Sequence, residues 1–252
     1  MGISKSNPAL TPARKALIIA GAIIPAATWI YLVLVRPTDW ESVGGSTEGL
    51  ITLVGYLLGA ALLLAGTLPL LPARTIAVIP AALVLNIVIG EVVGSIGIPL
   101  YLDSVGTILV AALAGPLAGV STGLLSSVVW GFINPAALPF AAVSAATGFL
   151  AGWAIEKGAF KAWWSVIVSG VLLGIVTGML AAPVAAFVYG GTAGLGTGAV
   201  VSLFRELGNS LIASVTLQSF ISDPLDKAIV MLIVWTALKA LPKRTLESLR
   251  PR

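Results

Sequence analysis

DSVGTILVAALAGPLAGVSTGLLSSVVWG, residues 103–131, is the stretch on which the fold turns. It carries no charge after Asp103 and is longer than the roughly 20 helical residues that cross a bilayer. Gly115-Pro116 stands near its middle. Proline lacks a backbone donor and clashes with the preceding turn, so the pair marks a kink or a reversal. The stretch therefore divides into two short helices, 103–114 and 116–131. Further apolar runs of helical length lie on either side, at 15–35, 49–71, 75–96, 139–156, 162–188, 199–218 and 223–241.

Composition agrees with that pattern. Of 252 residues 58% are hydrophobic and 10% charged, where soluble domains carry about 25% charged residues. So few charges cannot cover a soluble fold of this size, and the chain is expected to be an all-α, polytopic integral membrane protein. There is no His and no Cys, which excludes a His-containing triad, a thiol nucleophile, imidazole or thiolate metal ligation and disulfides. The redox compartment is unreadable for the same reason. No G-x-x-x-x-G-K-[ST] occurs, and the glycine-rich stretch 190–198 lacks the lysine that phosphate cradling needs. Neither enzyme activity, a cofactor nor a metal is expected. The net charge of +4 is no nucleic-acid signal, because five of the 14 basic residues fall in the last fourteen positions, as in a cytoplasmic tail.

Charge placement suggests an orientation. Arg14 and Lys15 put the N-terminus in the cytoplasm, the joint 36–48 with Asp39, Glu41 and Glu48 outside, and Arg74 inside again. The first run is too long for a signal peptide, and Arg36-Pro37 follows it instead of a cleavage site. The basic tail must also end inside, yet nine crossings leave it outside, so one run is not a crossing. The preferred candidate is 199–218, taken as an outer-side helix before the last span, because Arg205 and Glu206 fall in its middle and intramembrane charges are costly. A competing solution keeps 103–131 as one crossing and 199–218 as another, but leaves Lys157 and Lys161 outside.

Small residues recur at four-residue spacing: Gly115, Gly119 and Gly123; Gly170, Gly174, Gly178 and Ala182; and Ala77 with Ala81. Such lines let helix backbones approach closely in lipid. Intramolecular packing is expected for the glycine lines, and Ala77/Ala81 is a candidate partner face. Between Thr75 and Ile155 the only charges are Glu91 and Asp103. Glu91 either faces a ligand or is solvated near the outer surface, with Asn86 five positions before it. Asp103 falls where a helix begins, so an N-cap is expected even if it also lines a site. Arg205 can clamp an anionic group with its planar fork or form a salt bridge to Glu91 or Asp226, and Asn209 shares its helix face. Trp130 and Asn134, beside Phe132, close a helix end where a ring can stack on a heterocycle or simply join an aromatic belt. Asp223, before Pro224, reads as a cap.

The motifs "PLYLDSVGT", "GPLAGVSTG" and "SDPLDKAIV", in that order over residues 75–244, resemble the substrate-binding S component of energy-coupling factor importers, prokaryotic ABC-type transporters for vitamins. The resemblance implies a six-helix substrate-binding core at 75–244 in the cell membrane, with both termini cytoplasmic. Two extra helices within 1–74 precede it, and a basic tail, 245–252, follows. It implies that the last helix opens on the outer side at Asp226-Lys227, with Lys227 contacting substrate. It also implies that Ala77 and Ala81 meet a transmembrane coupling subunit, which works with two ATPase subunits. The pocket inventory suits a small neutral or zwitterionic heterocycle, and the missing histidine argues against nickel or cobalt. A self-contained secondary transporter using Glu91 or Asp103 is the alternative; a membrane enzyme with that carboxylate pair ranks below both.

Overall fold

Each turn of the chain has a local cause. In the computed structural model, which describes residues 10–37, 40, 46–191 and 194–249, helix α1 (Pro12–Val35) starts on the Thr11 hydroxyl, which accepts from the Arg14 N–H. Helix α2 (Thr47–Thr67) starts on Ser46 in the same way and runs into a short 3-10 turn, Leu68–Leu70. Helix α3 (Ala73–Ser95) follows. Gly115, at φ 86°, ends α4 (Val105–Ala114), and Pro116 opens α5 (Pro116–Gly131) with the φ a first helical turn requires. The expected split of 103–131 is thus present, at the expected residue. A 3-10 segment, Pro135–Phe140, leads into α6 (Ala141–Glu156), followed by α7 (Trp163–Val188). Then come α8 (Leu195–Glu206), α9 (Leu211–Ala240) and α10 (Lys243–Leu249).

The described residues are all-helical, and five helices are long and apolar enough to cross a membrane: α1, α2, α3, α7 and Pro135–Glu156. Helix α9, at 30 residues, is about 45 Å long but carries Asp223, Asp226 and Lys227 at its middle. The chain is built as a polytopic membrane protein.

The last third departs from expectation. Residues 199–218 are not one helix. Gly208, at φ 91°, breaks the chain after α8, and Ser210 caps a new helix by accepting from the Ala213 N–H. That helix passes through Pro224 without stopping. Asp223 is therefore no cap, and Asp226-Lys227 lies in the middle of α9 instead of opening it. Much of the expected tail is the helix α10, whose Leu249 carbonyl accepts from the Thr75 hydroxyl. Residues 1–9, Asp39, Glu41 and residues 250–252, on which parts of the expected stub, joint and tail fall, lie outside the described residues.

Glycines set the helix contacts. A Cβ on Gly119 would come 2.3 Å from the Gly148 carbonyl oxygen, one on Gly123 2.1 Å from that of Ser144, and one on Gly174 2.3 Å from that of Asp223. The first two weld α5 to α6 and the third welds α7 to α9, with no room for any larger residue. Both glycine lines are used for packing within the chain. The α1–α2 hairpin packs beside them: the Trp29 indole donates to the Leu180 carbonyl of α7, and the Thr67 and Ser121 hydroxyls pair at 2.9 Å.

These contacts define two ends. One gathers the starts of α1, α3 and α7 and the ends of α6 and α9, with Arg14, Lys15, Arg74, Lys157, Lys161, Lys239 and Arg244 against Glu156 and Glu247. The other gathers the ends of α1, α3, α5 and α7, the start of α9, and α8.

Candidate functional site

The chain from Ile96 to Ser104 dips back toward the middle of the bundle. A Cβ on Gly106, in the first turn of α4, would come 2.0 Å from the Ala82 carbonyl oxygen, halfway along α3. Helix α4 thus begins near mid-depth and completes only half a crossing. Non-helical backbone at that depth must find its hydrogen bonds within the protein. Asp226 supplies them: its Oδ1 accepts from the N–H groups of Tyr101 (2.9 Å) and Leu102 (2.7 Å). Its Oδ2 holds the Lys227 ammonium at 2.6 Å, and Lys227 reaches Asp103 at 3.5 Å.

Asn86 does the same for the start of α4. Its Oδ1 accepts from Gly106 N–H (2.7 Å) and Thr107 N–H (3.3 Å), while its Nδ2 donates to Thr107 Oγ1 and Ser126 Oγ. The exposed donors of a helix start are capped here by a neighbouring helix. All the hydrogen-bonding capacity of this side chain is spent on the protein.

Above this floor lies a cavity of about 330 Å³, open toward the second end. Glu91 stands at its rim, where its Oε1 accepts from the Trp130 indole (2.6 Å) and from Asn134 Nδ2 (3.0 Å). Trp130 fits because Gly90 has no side chain; a Cβ there would come 2.4 Å from the ring. On the far side Asp223 rests against Gly178, whose Cβ would meet its Oδ2 at 2.8 Å. The Ser127 and Ser144 hydroxyls bond each other at 2.7 Å. Tyr101 ties the dipping segment to α8 through Thr197 (2.9 Å).

The 3-10 segment Pro135–Phe140 forms one wall. Its carbonyls, having no helix to serve, are taken by side chains from elsewhere: the Trp40 indole donates to Pro135, the Tyr189 hydroxyl to Ala136, and the Tyr56 hydroxyl to Pro139. Phe140 stacks on Tyr189 with ring centroids 5.6 Å apart. Trp40 and Tyr56 belong to the first 74 residues, so the N-terminal hairpin holds up a wall of the cavity.

Of the side chains nominated from sequence, Glu91, Asp103, Trp130, Asn134 and Lys227 line this cavity together. Asn86 lies beneath it. Arg205 and Asn209 are exposed beyond it: Arg205 ends α8, with neither Glu91 nor Asp226 within ion-pair reach, and Asn209 bonds back to the Phe204 carbonyl. Residues 199–218 are not one helix, so Arg205 and Asn209 do not share the expected helix face. Asp103 does not cap α4 either; its carboxylate is drawn to Lys227 and Ser104 takes the cap position. Ala77 and Ala81 are exposed on the outer face of α3. Sequence reasoning missed Tyr101, Ser104, Phe140 and Asp223 as lining residues. The two prolines of Pro135–Phe140 were the available signal for the irregular wall. No family model, curated protein or solved structure matches the chain.

Proposed function

We propose that this protein is the substrate-capture subunit of an energy-coupling factor type importer, taking a small micronutrient from outside the cell. The observation that carries the proposal is the polar-floored cavity, sunk to mid-depth and open toward the second end, in a chain without the G-x-x-x-x-G-K-[ST] motif. The opposite end collects most of the basic residues, with Arg36 and Arg205 at the cavity end, and this excess favours placing the opposite end in the cytoplasm. The cavity then opens outward. The start of α1 at Pro12 and the end of α9 at Ala240 both fall on the basic side. Ala77 and Ala81, with Val84 and Val88, leave one face of α3 uncovered and small-surfaced, which suits close approach by another transmembrane subunit.

Purification of the tagged chain from its native host in mild detergent tests this. A transmembrane coupling subunit and two ATPases are expected to accompany it, and mass spectrometry is expected to find a small molecule retained in the cavity. Uptake by the chain alone, in a host without any coupling module and abolished by a protonophore, would overturn the importer in favour of a secondary transporter.

A further inference from the structure

Charge in the cavity is unbalanced. Glu91, Asp103 and Asp223 line it, and Lys227 is the only lysine or arginine that does so among the described residues. Lys227 is already taken: Asp226 holds it at 2.6 Å, and Asp103 pairs with it more loosely at 3.5 Å. No cation lies within 4 Å of Asp223 or Glu91 among the described residues. Both donors to Glu91 address Oε1, and Oε2 has no hydrogen-bond partner among the described residues. A second, independent feature points the same way. Ser104 lines the cavity and is 6% exposed, and its hydroxyl oxygen is buried with no hydrogen-bond partner among the described residues. A buried hydroxyl without a partner costs stability unless something else occupies the site.

We infer that the cavity selects an organic cation bearing N–H groups, an ammonium or a protonated amino-heterocycle on a flat apolar body. Asp223, Asp103 and Glu91 supply the compensating charge, and Ser104 Oγ, turned toward the ligand about its single side-chain torsion, accepts one of the N–H groups. Trp130, Tyr101 and Phe140 provide the aromatic wall that a delocalised cation favours. A bare metal ion is a poor fit, since no three acidic side chains converge on one point among the described residues. The ligand class differs from the neutral or zwitterionic heterocycle expected from sequence, because the one cavity lysine is spent on Asp226.

The inference deepens the solute-capture proposal and rests on it, but its test is separate. Benzylammonium, benzyl alcohol and benzoate share one aromatic body and differ in charge. Their binding to the full chain in lipid nanodiscs is measured by saturation-transfer NMR, with protein-free nanodiscs subtracted. Benzylammonium is expected to bind about tenfold more tightly than benzyl alcohol, the low end for a hydrogen bond to a charged group, and benzoate not at all. Asp223→Asn is expected to remove most of that preference while leaving benzyl alcohol binding in place. Ser104→Ala, which deletes an acceptor and no charge, weakens benzylammonium more than benzyl alcohol, because the charged donor makes the stronger bond, and covers the case in which Asp223→Asn does not fold. Equal binding of benzyl alcohol, or no saturable benzylammonium binding at millimolar concentration, overturns the inference. Absence of a coupling subunit beside a clear cation preference sinks only the importer; partners present with no cation preference sink only the ligand class.

Discussion

Two neighbouring acid–base pairs stand about twenty residues apart in this chain, and the fold treats them in opposite ways. Arg205-Glu206 ends α8 in full exposure, and no ion pair forms to either residue among the described residues. Asp226-Lys227 sits at the middle of a 30-residue helix, buried, with a bond between the two side chains at 2.6 Å. The sequence neighbourhood of the two is similar: apolar residues on both sides and a small or imino residue close by. What separates them is where the helix begins. Gly208 and Ser210 start α9 early, which carries Asp226 inward by some four turns, about 5.4 Å each. A charged pair is cheap at a helix end and tolerable at mid-depth only if it has work to do. Asp226 has that work, because it satisfies the backbone of a segment that cannot satisfy itself.

The contrast breaks most visibly at Asp226. Asp226→Ala strands the Tyr101 and Leu102 N–H groups and leaves Lys227 without its close partner. The expected cost is about 3–5 kcal/mol, the range for removing one member of a buried pair. Fluorescence-detected size-exclusion chromatography after a heat ramp should show a lowered melting temperature or loss of the monodisperse peak. Lys227→Met should cost less, since Asp226 keeps both backbone donors. If Lys227→Met proves the more damaging of the two, the backbone role assigned to Asp226 is wrong.

Asn86 sharpens the same contrast without any formal charge. It caps α4 from across a helix interface, so Asn86→Leu should leave the Gly106 and Thr107 N–H groups buried without partners. About 1–3 kcal/mol is expected, the usual penalty for an unpaired buried polar group. The same thermal assay reads it. Because Asn86 lies below the cavity, ligand affinity measured on the folded fraction should hold; a selective loss of binding at unchanged stability would return Asn86 to the site.

Most of the helix ladder was legible because its signals are local. Gly115-Pro116 announced its reversal, and the first seven apolar runs became helical within a few residues of their expected bounds. Length and hydropathy decide such elements, and neither depends on distant contacts. The segment 199–218 failed because its break rests on Gly208-Asn209-Ser210, a turn signal buried in an otherwise apolar run, whose weight was lost to the charges beside it. The same oversight moved Asp226-Lys227 from mid-helix to helix start and left Asp223 outside the site. Five of the eight nominated lining residues nevertheless came together, since rare polar groups in an apolar chain have few places to go. The dipping segment 96–104 left no local signal and the Pro135–Phe140 wall only its two prolines, because the side chains that satisfy them, Asp226, Trp40, Tyr56 and Tyr189, come from 50 to 130 residues away.

At the other pole of the comparison stands the smallest effect. Arg205→Ala, Glu206→Ala and Asn209→Ala remove exposed side chains whose one hydrogen bond among the described residues is that of Asn209 to a carbonyl five residues back. Each should change stability by less than about 0.5 kcal/mol, as surface substitutions away from special features do. Affinity for benzylammonium should stay within error of the parent, because the cavity's charge comes from α3, the dipping segment and α9, not from α8. The outcome is informative because α8 also borders the cavity through Leu195 and ties to Tyr101 through Thr197. If Arg205→Ala raised cation affinity in low salt and not in high salt, a long-range repulsion from this exposed guanidinium would be acting on ligand entry. The exposed pair would then share in selection despite its distance. With no salt-dependent change, the division holds: depth, not proximity in sequence, assigns these charges their roles.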